Sequence, residues 1–425
     1  MANLAFLADD LTGALDAGVQ LLDFGYTVSV CLAHGDLTAE TADILVLDSE
    51  SRNILPAAAA EQVRRGLALL QAAGRHLVYK KIDSTLRGNI GSELAALLDA
   101  TWCDGILIAP ALPAQGRTTR DGIHFVQGLP LAQTELARDP FAPILSSRIA
   151  EIIASQSDRP TAEIPLAYVR GPAPALKQLL RNHIFAGRRL LVCDAETDAD
   201  LSRLSAAAAE LPLRLVGCGS AGLARHYLPV RTAFTPDWPM PRSGRPLLVL
   251  SGSPAQMAKE QIRLAVQCRP DLVLVRAGLD QLASEPALLE TAVTALRQGR
   301  SVIVDAAGSS KADILRQTRD DRAGLEQDSR RIQTFLARLA AEAIREDPAG
   351  LVLFGGDTVA TVFRTLQAQS IRLAGQIEPQ VCLGSLSGGL ADALPVVTKA
   401  GGFGRPGTLL ELLDRLAPVS CGGGT

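Results

Sequence analysis

The chain is poor in the residues that build the commonest metal and nucleophile centres. Its five histidines are scattered over 425 residues, which argues against a zinc site. Seven cysteines (Cys31, Cys103, Cys193, Cys218, Cys268, Cys382 and Cys421) form no CxxC pair. Their odd number and wide spacing suit small buried hydrophobes in a reducing compartment. Neither charge is in excess: 42 Lys and Arg against 45 Asp and Glu leave a net charge of -3. Nothing therefore favours nucleic acid or an anionic membrane as a partner. No stretch reaches the roughly 18 uninterrupted apolar residues of a membrane span. Asp9 and Asp10 interrupt the apolar start too soon for a signal peptide. Three signatures are missing as well. There is no G-x-x-x-x-G-K-[ST] phosphate loop, no G-x-G-x-x-G after the first strand, and no G-x-S-x-G elbow or recognisable Cys/His pair. These absences leave a cytoplasmic globular protein in which any anion site must be a local cluster of cations.

What is present reads as α/β. Hydrophobic residues make up 47% and charged residues 20%, enough for an ample core, and the length suggests two or three domains. Apolar runs at 3–8, 26–33, 43–47, 105–109, 166–169, 190–193 and 213–216 read as strands, with helical patterns between them. That alternation predicts a mostly parallel sheet with crossover helices. Residues 229–246 hold five prolines and no period, and read as a linker. A second α/β series follows, with strands at 247–250, 272–275, 301–305, 351–354 and 396–399. The organisation expected is a first domain over 1–228 and a second over 247–425. Each is a mostly parallel sheet flanked by helices, with the active site in the cleft between them.

The densest chemistry lies in residues 78–91, VYKKIDSTLRGNIG, where a short strand empties into a polar loop ahead of a helix from Ser92. Lys80, Lys81, Asp83, Ser84, Thr85 and Arg87 suit a small anionic polyol: cations for its acid group, Asp and Ser for its hydroxyls. The alternative is a solvated loop whose Asp83 and Ser84 cap the next helix. Asp9 and Asp10 stand at the carboxyl end of the first strand, the usual ligand edge of such a sheet, and equally suit helix capping. Arg52 follows the third strand at the same edge. Arg117, Thr118, Thr119 and Arg120 line a site or form an exposed turn, and 125–143 reads as a lid or an oligomer contact, which leaves a homodimer open. The glycines of 217–222 allow either ligand approach or close helix–strand packing.

In the second half, three buried strands each run into a small-residue turn and a helix. These are Ser251-Gly252-Ser253 before Pro254, Gly355-Gly356-Asp357-Thr358, and Gly401-Gly402-Phe403-Gly404 before Pro406. With each proline at the first helical position, free amides would point back at the turn and cradle a phosphate. Carboxylates, hydroxyls and cations in one domain and phosphate turns in the other read as a kinase that closes over two substrates. A two-domain sugar-acid binding protein is the alternative.

Over nearly its whole length the chain also resembles the four-carbon acid sugar kinase family. The resemblance is carried by LADDLTGALDAG, KKIDSTLRGNIG, APALPAQGRTT, DPFAPILSSRIAEI, GSAGLA, SGS, GGDT and TKAGGFG. KKIDST and SSRIAEI are most similar to the branch acting on D-threonate; D-erythronate and 3-oxo-tetronate are the alternative acceptors. The resemblance implies transfer of the ATP γ-phosphate to the terminal hydroxyl of a four-carbon sugar acid. It also implies substrate contacts from Asp9, Arg52, Lys81, Ile82, Asp83 and Ser84, and ATP contacts from Ser253, Gly355, Gly356, Asp357, Thr358, Gly401 and Gly402. On that basis Arg52 and Lys81 are expected to pair with the acid group, with Asp9, Asp83 and Ser84 on its hydroxyls. Asp10 or Asp83 is expected to accept the proton of the attacking hydroxyl, and Asp357 to meet Mg2+.

Overall fold

The computed structural model describes residues 3–32, 35–138, 144–231, 244–306 and 322–417. The chain divides into two compact units, Met1–Thr235 and Pro236–Thr425. Most of the expected linker, residues 232–243, lies outside the described residues, as do residues 139–143 and Cys421.

In the first unit the strands are β1 (Leu4–Ala8), β2 (Val28–Leu32), β3 (Ile44–Asp48), β4 (His76–Lys81), β5 (Gly105–Ala109), β6 (Arg117–Arg120), β7 (Ile123–Val126), β8 (Leu129–Pro130), β9 (Thr161–Ile164), β10 (Leu190–Cys193) and β11 (Leu215–Gly219). Eight of them form a sheet in the order β2-β3-β1-β4-β11-β5-β10-β9, with every neighbouring pair parallel. Apolar runs such as LAFLA and ILVLD lack polar alternation because helices cover both faces. Leu7, Leu45 and Leu47 are fully buried among Val63, Leu67 and Leu94. Truncating one such leucine to alanine costs about 2–5 kcal/mol.

The order explains where a site can form. From β1 the chain crosses to β2 on one side, whereas from β4 it crosses toward β5 on the other. Adjacent strands whose connections diverge leave a crevice at their carboxyl ends, and here that crevice lies between β1 and β4.

The second unit repeats the device. Its strands are β12 (Leu247–Ser251), β13 (Val273–Arg276), β14 (Val302–Asp305), β15 (Gly350–Phe354), β16 (Ser370–Glu378), β17 (Val381–Ser387) and β18 (Pro395–Lys399). Their order is β13-β14-β12-β15-β18-β17-β16, parallel through β18, with β17 antiparallel to both neighbours. The connections diverge between β12 and β15. The core gathers Leu247, Val249, Ile262, Val352, Phe354 and Val397.

Four expectations are corrected. Residues 166–169 are a short helix; the strand is Thr161–Ile164, and Pro165, which has no N–H to give a ladder, ends it. Residues 117–130, expected as a site lining or an exposed turn followed by a region without strong period, form a three-stranded antiparallel sheet, β6-β7-β8. The hairpin β16–β17 was not foreseen at all, because glycines at 375 and 384 interrupt its alternation. The helix after the KKIDST loop starts at Ile90, so Asp83 and Ser84 do not cap it. Among the described residues no helix is long and apolar enough to cross a membrane.

Candidate functional site

At the β1/β4 crevice, strand register sets the first row of groups. Ala8 lies beside Asp48 on β3 and Lys81 on β4, so Asp9, Ser49 and Ile82 begin the loops together. The Arg52 loop is strapped to this edge: the N–H groups of Ser51 and Arg52 both donate to the Asp9 carbonyl, at 3.0 and 3.1 Å. From the other side the Asn89 amide donates to the carbonyls of Ser51 (2.9 Å) and Ile54 (2.8 Å). Two non-glycine residues in these loops, Glu50 and Leu86, hold positive φ of 49° and 61°. Such backbone is disfavoured by about 1–2 kcal/mol per residue and needs surrounding bonds to hold it.

Within this frame Arg52 grips two carboxylates. Its Nε and Nη2 donate to Asp9 (both 2.9 Å), and its Nη1 and Nη2 donate to Asp10 (2.7 and 2.6 Å). Four of the five guanidinium N–H donors are thereby used inside the protein. Asp10 also caps the helix Leu11–Val19, accepting from the Gly13 N–H at 2.9 Å. Capping therefore does not remove Asp10 from the charge cluster around Arg52. Successive residues of a strand face opposite sides. Lys80 accordingly turns to the helix Ile90–Ala100 and pairs with Glu93 at 2.6 Å, both side chains being buried. Lys81 turns to the helix Leu11–Val19 and donates to the Ile82 carbonyl at 2.8 Å. A Cβ at Gly13 would stand 2.5 Å from Asp10 Oδ1 and 2.7 Å from Lys81 Nζ, so the glycine of LTGA makes room for both.

Asp83 binds Arg87 and Thr85, each at 2.5 Å. Burial alone would raise its pKa, but Arg52, Arg87 and Thr85 outweigh it and hold the carboxyl far below the usual range. Asp9 is likewise pushed up by burial and brought below its ordinary value by Arg52 and the two lysines. Asp10 goes the other way: burial, with Asp9 and Asp83 nearby, raises it despite Arg52. Burial raises Asp16 to about 6.

The unforeseen β6–β8 sheet closes over the Ser84 loop. Arg117 Nη1 donates to the Ser84 hydroxyl, the His124 Nε2 lies 2.8 Å from the Ser84 carbonyl, and Thr119 Oγ1 lies 3.1 Å from His124 Nδ1. Burial lowers His124 to about 4, so this link is neutral at pH 7. Arg117 to Arg120 are therefore a strand and not a turn, with Arg117 and Thr119 linked to the Ser84 loop and Arg120 exposed on the same strand. Asp16 and Glu93 escaped sequence reasoning because each sits in a helical pattern that explains it without a site. Asn89, although inside the 78–91 stretch, and His124, on a strand too short to show a period, carry no motif of their own. The glycines of 217–222 serve packing: a Cβ at Gly217 would strike the Tyr79 and Tyr227 rings, and one at Gly222 would run into the Ala111 carbonyl.

In the second unit the three small-residue turns converge. Ser251, Phe354 and Lys399 lie side by side in register on β12, β15 and β18, so all three turns leave one edge at one level. A Cβ at Gly252 would stand 2.5 Å from Thr358 Oγ1, and one at Gly401 would fall on the Ser253 hydroxyl. Gly355 adopts φ 101°, which a side chain would oppose. The third turn has its carbonyls drawn inward. Lys399 Nζ donates to those of Ala400 (3.1 Å), Gly401 (3.0 Å) and Phe403 (2.8 Å), and Gln261 Nε2 donates to those of Phe403 and Arg405. Burial lowers Lys399 to about 8.

One detail differs from expectation. Pro254 and Pro406 are not the first helical residues; the helices begin at Gln256 and Thr408, after Ala255 and Gly407. Only the helix Gly356–Thr365 starts directly from its glycine turn, with Asp357 exposed in its first turn. The prolines stiffen the approach to their helices rather than open them, and the amides nearest the turns are those of the loops.

Comparison with known proteins agrees with this two-part layout. A sugar-binding N-terminal domain matches residues 4–227, and a nucleotide-binding C-terminal domain matches residues 248–409. The D-threonate kinase of Salmonella typhimurium is 36% identical over 430 residues, covering 99% of this chain and 100% of that protein. The D-erythronate kinase of Heliobacterium modesticaldum is 29% identical, covering 98% and 97% respectively. A crystal structure of a Haemophilus influenzae protein of the DUF1537 family superposes with a TM-score of 0.75 at 25% identity, over 97% of this chain and 100% of that one. The chain belongs to the four-carbon acid sugar kinase family.

Proposed function

We propose that the protein is an ATP-dependent kinase that phosphorylates the terminal hydroxyl of a four-carbon sugar acid, with D-threonate as the acceptor. The observation that carries this reading is the 36% identity, end to end, with a D-threonate kinase. In this reading the first unit, through the β1/β4 crevice, takes the acid, with Asp9, Arg52, Lys81, Ile82, Asp83 and Ser84 around it. The second takes ATP at Ser253, Gly355, Gly356, Asp357, Thr358, Gly401 and Gly402.

The geometry refines the roles. With four of its donors on Asp9 and Asp10, Arg52 organises the carboxylates instead of clamping the acid by itself. Asp10 is the better proton acceptor, because its raised pKa makes it the more basic carboxylate. Asp83, held ionised by two cations and a hydroxyl, is a weak base and serves to position. Phosphoryl transfer depends mostly on placement and charge neutralisation, so these carboxylates refine the rate instead of creating it.

Among the described residues no three His, Cys, Asp or Glu side chains gather as a metal cage. Asp357, a lone exposed carboxylate beside the glycine turn, fits an Mg2+ ion that takes its other ligands from ATP and water. When bound, Mg2+ would neutralise phosphate charge.

An ADP-release assay across D- and L-threonate, D- and L-erythronate and the 3-oxo acids tests the proposal. D-Threonate should give the highest kcat/KM. A higher value for another acid corrects the acceptor, and no turnover with any of them removes the kinase reading.

A further inference from the structure

The cations around the β1/β4 crevice are accounted for unequally. Arg52 is held by Asp9 and Asp10, Lys80 by Glu93, and Arg87 by Asp83. Among the described residues Arg117 has no carboxylate within ion-pair distance. Its Nη1 donates to the Ser84 hydroxyl, and its Nε is buried without a hydrogen-bond partner. The charges of Asp83 and Asp16 both reach it, which puts the guanidinium at the rim of the same cluster as Lys81, whose charge also acts on Asp16. A partly buried guanidinium with an unsatisfied N–H is costly, and native proteins seldom keep one without a use.

We propose that Arg117 receives the carboxylate of the sugar acid. This rests on the acceptor reading above and names the group that recognises the acid end. A guanidinium presents a planar fork that matches a carboxylate with two parallel hydrogen bonds, which the point charge of a lysine cannot do. Ser84 fixes the plane of that fork through Nη1, and His124 and Thr119 tie the Ser84 loop to the sheet that carries Arg117. The β6–β8 sheet is thus the element that selects acids over neutral sugars, and Lys81 is the second cation at that end. Arg52 is too committed to perform this task.

The test compares D-threonate with D-threonamide, which keeps every hydroxyl and loses the charge, in wild type, Arg117→Met and Arg117→Lys. Arg120→Met is the control, since Arg120 lies on the same strand but is exposed and paired with Glu196. Arg117→Met should raise the KM for D-threonate about 100-fold, the size of a lost charge-assisted pair, while leaving the KM for ATP and for the amide within about twofold. Arg117→Lys should recover part of the loss, and carries the test if the Met variant does not fold. Equal losses on acid and amide, a fall in kcat alone, or an unchanged acid KM would overturn the assignment. Calorimetric titration of D-threonate reads the same contrast without turnover. Binding without ADP release in wild type removes the kinase reading while the titration still decides the role of Arg117. Neither binding nor turnover with any four-carbon acid removes both.

Discussion

The carboxyl ends of β1, β3 and β4 and the loops that follow carry Asp9, Asp10, Arg52, Lys81 and Asp83; the turns that follow β12, β15 and β18, and the helix start at Gly356, carry Gly252, Ser253, Gly355, Gly356, Gly401 and Gly402. The two units use the same topological device, a pair of parallel strands whose connections diverge, and fill it with opposite materials. The first site is built from side-chain charges that must compensate one another out of water. The second is built from backbone, and its working parts are the absent side chains that let three turns approach. Damage to the first should therefore appear as lost stability or lost chemistry. Damage to the second should appear as lost affinity for nucleotide.

The largest effect expected is at Arg52. Arg52→Met would leave Asp9 and Asp10 facing each other without their shared cation, and breaking a buried pair in this way costs about 3–5 kcal/mol. Urea unfolding should register the whole of it, and a loss below about 1 kcal/mol would mean that the carboxylates are not charge-built as described. Next comes Asp10→Asn, which should lower kcat by about 100-fold, at the lower end of general-base effects, with little change in the acceptor KM. Asp83→Asn should instead act mainly on that KM. The opposite pattern would exchange their roles.

In the second unit, Gly401→Ala places a methyl group on the Ser253 hydroxyl and should weaken nucleotide binding by about tenfold, roughly 1.4 kcal/mol. Acceptor binding, measured separately by calorimetry, should not change. Equal loss of both would blur the division between the units.

The smallest effect is a pH dependence at Lys399. Burial depresses its pKa from 10.5 to about 8, against the opposing pull of Glu378, so the ammonium that holds three turn carbonyls is charged below about pH 8 and neutral above it. Nucleotide affinity should accordingly fall by roughly threefold between pH 7 and pH 9, less than one full hydrogen bond. In Lys399→Arg, whose charge does not titrate there, the slope should vanish. A slope that persists belongs to another group.

Much of this was legible in the residues. Buried parallel strands announce themselves as short apolar runs, and those at 105–109 and 190–193 were read to the residue. Charged loops at strand ends were equally plain, because KKIDST and the Asp9–Asp10 pair have no use in a core. The strand expected at 166–169 failed because a four-residue apolar run has no period to separate strand from helix, and the fold used the preceding Thr161–Ile164 beside β10. The β6–β8 sheet stayed hidden because its alternation is short and its strands are joined through Asp121-Gly122 and Gln127-Gly128, which read as loop.

The sequence by itself determined the class: an α/β chain in two parts, one ending its strands in charge and the other in glycine, without the signatures of several other enzyme families. These properties are local, written in hydrophobic period and loop composition over a few residues at a time. Tertiary structure decided which charges are paired with a carboxylate and which are not. That Arg52 is consumed by two aspartates while Arg117, 65 positions later, keeps an unpaired Nε depends on strand order and on a small sheet folding back over Ser84. Electrostatic pairing is a property of distance in space, and only the fold sets that distance.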